Sequence, residues 1–566
     1  MYSSLSPIQR EIVFNKHGKF VVRACPGSGK TYCVAARLSR LLSEWKNEYQ
    51  GIATISFTNV AWQEIEKKSE DEFGVKSGNQ FPHFLGTIDS FINKHIFLPH
   101  GHLILGCKER PVLVGEPHGI WTGRTFSDTL FDNCSYQMDG ILYAISSQKM
   151  PPNWSANTNI SNAKKRLNKA GFVTQNDANY FAMKLLEKFP SIAKALAFRF
   201  PFLIVDEAQD TSDIQMRIID LLIAQGLNEV MLVGDPDQAI FEWNDAKPGL
   251  LNQKFTEWDR SIVLNESRRS SQLICNYTFN ISSLEEPSDA VNTEVKDFAH
   301  QPKIIVYNNN LPQIVSDFLS ECESNGITVS KESVAVVYRS KNLVNDITGV
   351  AEVPFNKTPW NTEANYTKDF ARGKFLYDSG EINLGKRIIE KALVKITKGL
   401  SACTDDDVEK FIDKHGFTHF KLRVHQFINK LPKTDIPLGQ WIDTANLVIS
   451  KFQLAIKRTG RNYTFQQLFL NNDIANNPQI NYRLGTVHSI KGETFDATLL
   501  VLKTKGIGPA YKTILNNNTS ISDSEELRIA YVGITRPRKI LVIAVPNEDN
   551  KLAWERKLNY THEQTE

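Results

Sequence analysis

The stretch Ala24-Cys25-Pro26-Gly27-Ser28-Gly29-Lys30-Thr31 follows the apolar run Phe20-Val21-Val22 and decides the fold. Its glycines let backbone N–H groups turn inward around phosphate oxygens, and the helix predicted to follow points its positive end at the same phosphates. Lys30 is expected to reach the β- and γ-phosphates, and the Thr31 hydroxyl to bind Mg²⁺. Ala24 stands where the strict pattern has Gly. Because strand, loop and helix come in the required order, the stretch predicts a nucleoside-triphosphate site.

An acidic turn follows a second apolar run. Phe202-Leu203-Ile204-Val205 leads into Asp206-Glu207-Ala208-Gln209-Asp210. A carboxylate at a strand end beside a phosphate loop can hold magnesium, and a neighbouring carboxylate can take a proton from the attacking water. Asp206 fits the first role and Glu207 the second.

Short apolar runs recur along the chain, with helical segments between many of them. This pattern predicts parallel sheets flanked by helices, with ligands beyond the carboxyl ends of the strands. The predicted strand runs are Phe20–Val22, Ile52–Phe57, Phe202–Val205, Val230–Val233, Ile304–Val306, Val334–Tyr338, Thr498–Leu502 and Leu541–Val545.

Composition narrows the class of protein. The chain has 566 residues, 41% of them hydrophobic and 23% charged, which is typical of a soluble protein with roughly three to four domains. The net charge of +3 does not by itself indicate nucleic acid. Seven cysteines without a C-x-x-C pair argue against disulfides and structural zinc. No signal pattern or membrane span is evident, so we expect a cytoplasmic protein with no membrane association.

Two stretches, 97–195 and about 350–480, break the strand pattern and favour helix. Each contains basic residues, Lys164-Lys165-Arg166 in the first and Lys391, Lys395 and Lys398 in the second. The basic residues are either a solvated surface or a phosphate-contacting patch. No internal repeat is evident.

The motifs, taken together, resemble those of superfamily 1 helicases of the UvrD/Rep/PcrA type. Beside the phosphate loop and the Asp-Glu-x-x-Asp turn, seven further stretches match family motifs in order. They are Ser6–Gln9 (Q motif), Ile55–Asn59 (Ia), Gly86–Phe91 (Ib), Val233–Trp243 (III), Arg269–Gln272 (IV), Val487–Glu493 (V) and Tyr531–Arg536 (VI).

The resemblance implies an α/β fold of two RecA-like P-loop motor domains, each interrupted by a mostly helical insertion. Motor domain 1A would comprise 1–96 and 196–275, with insertion 1B at 97–195. Motor domain 2A would comprise 276–350 and 481–566, with a reduced insertion 2B at 351–480.

The resemblance also implies roles for individual residues, with ATP and Mg²⁺ as the ligands. The catalytic residues would be Lys30, Asp206, Glu207, the γ-phosphate sensor Gln238, and the arginine fingers Arg269 and Arg536. ATP would contact Gln9 at the adenine, Ala24, Pro26, Gly27, Ser28, Gly29, Lys30, Thr31, Tyr32, Arg268, Arg269, Gly492 and Arg536. Magnesium would contact Thr31 and Asp206, and DNA would contact Phe57, Thr58, Asn59, Phe241, Trp243 and His488.

Three motifs depart from the family pattern. Tyr32 and Arg268 stand where relatives carry Arg and Tyr, which suggests that the two adenine-stacking partners are exchanged. Asn244-Asp245 replaces Arg-Gly after Trp243, removing a positive charge beside the stacking residue. Glu493 directly follows Gly492, one residue earlier than the ribose-binding Glu of relatives, which puts the ribose contact in doubt.

The outline resembles the helicase subunit of Gabija anti-phage systems, which pairs with an OLD-family nuclease. Both insertions look short, and we expect no nuclease domain in this chain. The leading hypothesis is a 3′-to-5′ translocase or helicase on single-stranded DNA or DNA with single-stranded tails. The alternatives are a DNA-gated ATPase switch that senses ends without unwinding, and a P-loop kinase or GTPase.

Overall fold

The computed structural model describes residues 2–76, 80–115, 118, 134–144, 158–240, 247–308, 310–340, 343–348, 359–360, 366–400, 403, 405–473, 480–503 and 511–558. These residues form two parallel β-sheets, three short two-stranded ribbons and a set of helices.

The described strands follow one another along the chain. They are β1 Lys19–Ala24, β2 Ile52–Ser56, β3 Phe84–Thr87, β4 Val112–Leu113, β5 Cys134–Tyr136, β6 Leu142–Ala144, β7 Phe172–Val173, β8 Phe202–Val205, β9 Glu229–Gly234, β10 Ile262–Leu264, β11 Glu266–Ser267, β12 Asp289–Ala290, β13 Lys303–Val306, β14 Val334–Tyr338, β15 Arg483–Thr486, β16 Phe495–Val501 and β17 Pro537–Val545. Each of the eight predicted runs coincides with a strand, which confirms the sequence interpretation, although Phe57 and Leu502 lie one residue beyond the ends of β2 and β16.

Both large sheets are parallel. The first has the strand order β10-β1-β9-β8-β2-β3, and the second has the order β13-β17-β16-β14-β15. In the first sheet, Val22 lies opposite Val233 of β9 and Ile262 of β10. The phosphate loop after β1 and the acidic turn after β8 therefore emerge at the same carboxyl edge, with β9 between their strands.

The helices lie between and around these strands. The α-helices are Pro7–Arg10, Lys30–Glu44, Asn59–Phe73, Ile88–Ile92, Leu98–His100, His102–Leu105, Thr158–Lys169, Gln175–Lys188, Pro190–Arg199, Asp213–Ala224, Pro248–Glu257, Gln272–Phe279, Leu311–Ser324, Leu343–Thr348, Thr367–Asp378, Ile382–Lys398, Asp405–His415, Phe417–Lys430, Leu438–Val448, Phe465–Asp473, Tyr511–Asn516, Glu525–Ile534 and Glu548–Leu558. The described parts of the chain thus have the predicted α/β class, with parallel sheets flanked by helices.

The first predicted insertion is partly built into the first motor domain. Side chains of the helices Gln175–Lys188 and Pro190–Arg199, among them Met183 and Ala193, share one apolar core with Val21 of β1 and Ala53 of β2. The C-terminal part of the insertion, which contains these two helices, therefore packs in the hydrophobic core of the first sheet.

The second predicted insertion has a core of its own. Helices from Thr367–Asp378 to Phe465–Asp473 pack around Phe370, Trp441 and Phe465, each fully buried. None of the residues in this cluster belongs to either sheet. The described part of the insertion is thus a separate helical layer, as its composition predicted.

The change from the first to the second sheet comes earlier than the sequence division at residue 275. The last strand of the first sheet ends at Leu264. Ser270 Oγ donates to Pro537 O of β17 at 2.7 Å, and Ile274 lies in the core of the second sheet. Residues 270–275 therefore contact the second sheet and its core, whereas the N–H of Arg268 donates to Gly27 O of the phosphate loop at 2.9 Å.

The basic residues of the two insertions are mostly engaged within the protein. Lys164 is 2% exposed and forms an ion pair of 2.8 Å with buried Asp177, so it is not available to a phosphate backbone. Lys395 lies 3.8 Å from Asp369, and Lys398 Nζ donates to Asp407 O at 3.2 Å. The phosphate-patch interpretation is therefore wrong for Lys164.

All seven cysteines are free, in agreement with their odd number and spacing. In the part of the chain that the structure describes, no helix is both long and apolar enough to cross a membrane.

Candidate functional site

The phosphate loop joins β1 to the helix Lys30–Glu44. Gly27 and Gly29 have φ angles of 76° and 79°, which glycine adopts without strain. A Cβ at Gly27 would lie 2.5 Å from Arg269 Cβ, so the loop is packed closely against the segment that carries this predicted arginine finger. The buried hydroxyl of Ser28 has no hydrogen-bond partner among the described residues. A phosphate oxygen would satisfy it.

The strand β8 delivers two carboxylates to the same edge. Thr31 Oγ1 donates to Asp206 Oδ2 at 3.4 Å, and the backbone N–H of Glu207 donates to Asp206 Oδ1 at 3.0 Å. Glu207 has φ 53°, a left-handed conformation that is strained for a residue with a side chain. Such strain is typical of functional positions, where the surrounding structure imposes it.

The surroundings shift the pKa values of the two carboxylates in opposite directions. Burial raises the pKa of Asp206, and the neighbouring charge of Glu207 raises it further. Burial also acts to raise the pKa of Glu207, but the charges of Lys30 and Lys491 outweigh it and hold that pKa below its ordinary value. Glu207 is therefore ionised and able to accept a proton.

The oxygen atoms around Thr31 and Asp206 suit Mg²⁺. Magnesium is usually held by one or two protein oxygens together with waters and substrate phosphates. The described residues include no group of three or more His, Cys, Asp or Glu that could hold a metal by itself. When bound, the ion would neutralise charge on the phosphates, and Thr31 and Asp206 would be its protein ligands.

Gln209 orients the proposed base, and the sequence interpretation overlooked it. Its Nε2 donates to Glu207 Oε2 at 2.5 Å and to Asp210 Oδ2 at 3.3 Å, while its Oε1 accepts from the backbone N–H of Asp235 at 3.1 Å. The amide thus links the acidic turn to the segment after β9. The only sequence signal was its position inside the Asp-Glu-x-x-Asp turn.

Arg536 reaches the site from the second half of the chain. It is 1% exposed, and its NH2 donates to Gln238 Oε1 at 2.8 Å while its Nε donates to Val532 O at 2.8 Å. Gln238 Nε2 in turn donates to Asp235 Oδ2 at 2.6 Å. The predicted sensor and the predicted arginine finger are therefore in direct contact.

Two more cations that contact both motor domains line the cleft beside the acidic turn and the phosphate loop. Arg269 NH1 donates to Thr535 O at 3.0 Å, and burial lowers the pKa of Arg269 to about 10. Lys491 Nζ lies 2.5 Å from Asp210 Oδ2, and this pair bridges the two motor domains. Lys491 was not among the predicted site residues.

These side chains surround one cleft of about 690 Å³ between the two halves. Its lining includes Gly27, Ser28, Gly29, Lys30, Thr31, Phe57, Thr58, Glu64, Lys68, Glu207, Asp210, Gln238, Arg268, Arg269, Asn292, His488, Lys491, Gly492, Glu493, Arg536 and Arg538. Most of the predicted catalytic and phosphate-binding residues are brought together here.

The predicted adenine contacts lie in different surroundings. Arg268 lines the cleft and pairs with Glu266 at 3.3 Å. Tyr32 does not line it. Its ring packs 5.3 Å from that of Phe73, and its hydroxyl is 2.6 Å from Ser4 Oγ.

The remaining predicted nucleotide contacts are tied to the loop itself. Gln9 is fully buried; its Nε2 donates to Ser28 O at 3.2 Å, and its Oε1 accepts from the Ser6 backbone N–H at 3.1 Å. Ala24 is the buried last residue of β1, and Pro26 follows in the loop. Their contacts with a nucleotide, like that of Tyr32, stay predictions.

Three of the predicted strand-binding residues, Phe57, Thr58 and His488, line the same cleft. Thr58 caps the helix Asn59–Phe73, and Asn59 Oδ1 accepts from Trp62 Nε1 at 3.1 Å. His488 Nε2 is 3.1 Å from Ile240 O. Phe241 and Trp243 lie outside the described residues.

Two family models match the chain. The UvrD/REP helicase N-terminal domain matches residues 5–101 and 133–258, and the UvrD-like helicase C-terminal domain matches 461–548. The chain belongs to the UvrD-like helicase family. The matched segments carry the phosphate loop, the acidic turn and Arg536.

Several curated relatives of this UvrD-like helicase are about one quarter identical to it. DNA helicase II of Haemophilus influenzae is 26% identical over 292 residues, which are 49% of this chain and 40% of the relative. Gabija protein GajB of Bacillus cereus is 25% identical over 357 residues, 62% of each chain. ATP-dependent DNA helicase PcrA of Bacillus subtilis is 26% identical over 267 residues, 44% of this chain and 34% of the relative. The chain thus matches about one third to three fifths of the length of each of these three relatives.

Glu493 pairs with a side chain of the protein, Arg483. Its carboxylate accepts two hydrogen bonds from the Arg483 guanidinium, both at 3.0 Å. This bidentate pair holds the carboxylate against β15. The structure thus gives a physical reason for the doubt about a ribose contact.

Proposed function

We propose that the chain is an ATP-dependent DNA helicase or translocase that moves 3′ to 5′ along single-stranded DNA. The observation that supports this most is the origin of the cations at the cleft. Lys30 follows β1 of the first sheet, whereas Lys491 and Arg536 lie next to strands of the second sheet, and the Arg269 side chain donates to Thr535 O there. Hydrolysis would then require both motor domains to close around ATP.

Each residue has a defined part in the proposed hydrolysis. Lys30 and the loop N–H groups would hold the β- and γ-phosphates, and Glu207, oriented by Gln209, would take the proton of the attacking water. Arg269 and Arg536 would stabilise negative charge that develops in the transition state. Gln238, held by Arg536, would register the loss of the γ-phosphate.

The strand would cross the mouth of the cleft. Phe57 and His488 line the same cleft as the phosphate loop, which favours direct coupling between the two ligands. Trp243 follows the sensor Gln238 by five residues and would stack on a base. Nucleotide state would thereby change the grip on DNA.

A role as the motor subunit of an anti-phage complex is part of the proposal. It is supported by the similarity to Gabija protein GajB over 62% of both chains. The expected partner is an OLD-family nuclease. Co-purification with the nuclease encoded nearest to this chain would test the association.

The first experiment is ATP hydrolysis by the purified chain with and without single-stranded DNA. We expect DNA to stimulate turnover, Lys30→Ala to abolish it, and Glu207→Gln to keep ATP binding while losing about 100-fold or more in kcat. Turnover that persists in Lys30→Ala would remove the phosphate loop from the reaction. Turnover that DNA does not change would argue against a motor working without its partner.

Strand displacement with 3′ or 5′ tails then separates the motor from a switch. The DNA-gated ATPase switch has one supporting observation, the Asn244-Asp245 pair in place of Arg-Gly beside Trp243. Unwinding from 3′ tails supports the helicase. DNA-stimulated hydrolysis without unwinding or movement supports the switch.

A further inference from the structure

Four consecutive residues after β9 are each held by a different side chain of the second motor domain. Ser283 donates to Asp237 through its N–H at 2.7 Å and its Oγ at 2.6 Å, and Arg536 donates to Gln238 at 2.8 Å. Arg528 Nε donates to Ala239 O at 2.8 Å, and His488 Nε2 lies 3.1 Å from Ile240 O. We name Asp237–Ile240 the sensor segment, because it contains Gln238.

Arg528 makes the firmest backbone attachment of this segment. It is 1% exposed on the helix Glu525–Ile534. Its NH1 donates to Ile521 O and Ser522 O, both at 2.7 Å, so one guanidinium joins two carbonyls of the second domain to Ala239 O. A guanidinium is a rigid planar fork. Movement of the 521–528 region must therefore displace the backbone next to Gln238.

The position of Gln238 has direct consequences for the proposed chemistry. Its two amide ends are held by Asp235 and Arg536, and its backbone is adjacent to the carbonyl that Arg528 holds. A displacement of about 1 Å can cost about 100-fold in rate. Arg528 does not line the cleft, so it would act only through the sensor segment.

We propose that Arg528 is a positioning residue for ATP hydrolysis, which acts through Gln238 by holding the carbonyl of Ala239. The inference rests on the proposed ATPase function and adds to it a residue that does not line the cleft. The second motor domain would then position Gln238 in two ways. Arg536 holds its side chain, and Arg528 holds the backbone carbonyl of the next residue, Ala239.

A double-mutant cycle tests the proposal with four chains: wild type, Arg528→Lys, Gln238→Ala and the double variant. Lysine keeps the charge but cannot reach three carbonyls as a fork. We expect Arg528→Lys to lower kcat about 10-fold, with the KM for ATP within about twofold. In the Gln238→Ala background the same substitution should have almost no further effect, because Arg528 would act only through the Gln238 side chain that this variant already lacks. Effects that multiply, or a wild-type kcat in Arg528→Lys, would overturn the proposal.

Arg37→Lys is the matched control. Arg37 is also buried, 2% exposed, and donates to backbone carbonyls, Ile12 O at 2.5 Å and Lys16 O at 2.7 Å, but within the first domain. It should lower the melting temperature without a Gln238-dependent change in kcat. The same Gln238-dependent loss in Arg37→Lys would show that any buried arginine has this effect, and would overturn the proposal.

Should Arg528→Lys fail to melt cooperatively, Ser283→Ala takes its place. It removes the hydroxyl that donates to Asp237 and accepts from Arg23 NH2, and it leaves the N–H donor to Asp237 and the carbonyl that also accepts from Arg23. We expect a smaller loss of kcat, about threefold, that again disappears in the Gln238→Ala background; additive effects would overturn the proposal. Failure of the proposed function is visible separately, as the absence of Lys30-dependent turnover in the wild type.

Discussion

Two turns in the two motor domains share the pattern Leu-Gly-Thr-Ile/Val-x-Ser. One is Leu85–Ser90 and the other Leu484–Ser489. Each begins within an edge strand and continues past its end, β3 in the first sheet and β15 in the second. The Ser Oγ donates to the Thr carbonyl in both, Ser90 to Thr87 O at 2.7 Å and Ser489 to Thr486 O at 2.9 Å.

Both turns have a glycine at the second position because a side chain there would clash with the serine. A Cβ at Gly86 would lie 2.9 Å from Ser90 Oγ, and one at Gly485 would lie 2.6 Å from Ser489 Oγ. These distances are shorter than a Cβ normally makes, so a side chain there would displace the serine.

The two turns differ at the fifth residue, Asp89 in one and His488 in the other. Asp89 Oδ1 accepts from Asn179 Nδ2 at 2.9 Å and Gln215 Nε2 at 3.0 Å, both in the first half of the chain. His488 instead contacts Ile240 O across the cleft. One local scaffold therefore supports an internal clamp in the first domain and an interdomain contact in the second.

Removal of the internal clamp should have the largest effect. Asp89→Ala leaves the amides of Asn179 and Gln215, 6% and 5% exposed, without their shared acceptor. We expect a loss of about 2–4 kcal/mol in the free energy of unfolding, measured by denaturant titration. Asp297→Ala, at a side chain that is 85% exposed, is the control. A loss below about 1 kcal/mol would mean that Asp89 is not a clamp.

Removal of the interdomain contact should change activity more than stability. Burial lowers the pKa of His488 to about 4, so the ring is neutral at pH 7 and can donate from Nε2. His488→Ala should lower DNA-stimulated kcat about 10-fold, the equivalent of one hydrogen bond, with less than about 1 kcal/mol lost in the free energy of unfolding. His488→Gln, which restores a donor, should recover part of the rate. If His488→Ala kept the full DNA-stimulated turnover, the interdomain contact of this turn would have no role in activity.

The shared part of the two turns should respond equally to the same change. Ser90→Ala and Ser489→Ala each remove one hydroxyl donor, and each should cost about 1 kcal/mol in the free energy of unfolding. Because the serines lie in different domains, the double variant should show the sum. Costs that differ by more than about 1 kcal/mol would show that the turns are not equivalent.

The sequence interpretation missed both the repeat and its strands. The pattern is six residues long and its two copies begin 399 residues apart, at 85 and 484, so no periodicity reveals it. Phe84–Thr87 and Arg483–Thr486 each contain one glycine and few β-branched residues, which weakens the local strand signal. Both strands form because a neighbouring strand, β2 or β14, supplies their hydrogen bonds.

The sequence by itself determined the class of the fold, the eight long strand runs and the family. These features depend on contiguous residues, such as a buried strand followed by a glycine loop and a helix, whose local physics is readable in order. It did not predict the partners of Glu493, Lys491 and Arg528, the burial of Lys164, or the domain change near Leu264. Those contacts join residues far apart along the chain. Only the packing of the two sheets and their helices decides which charges and carbonyls meet.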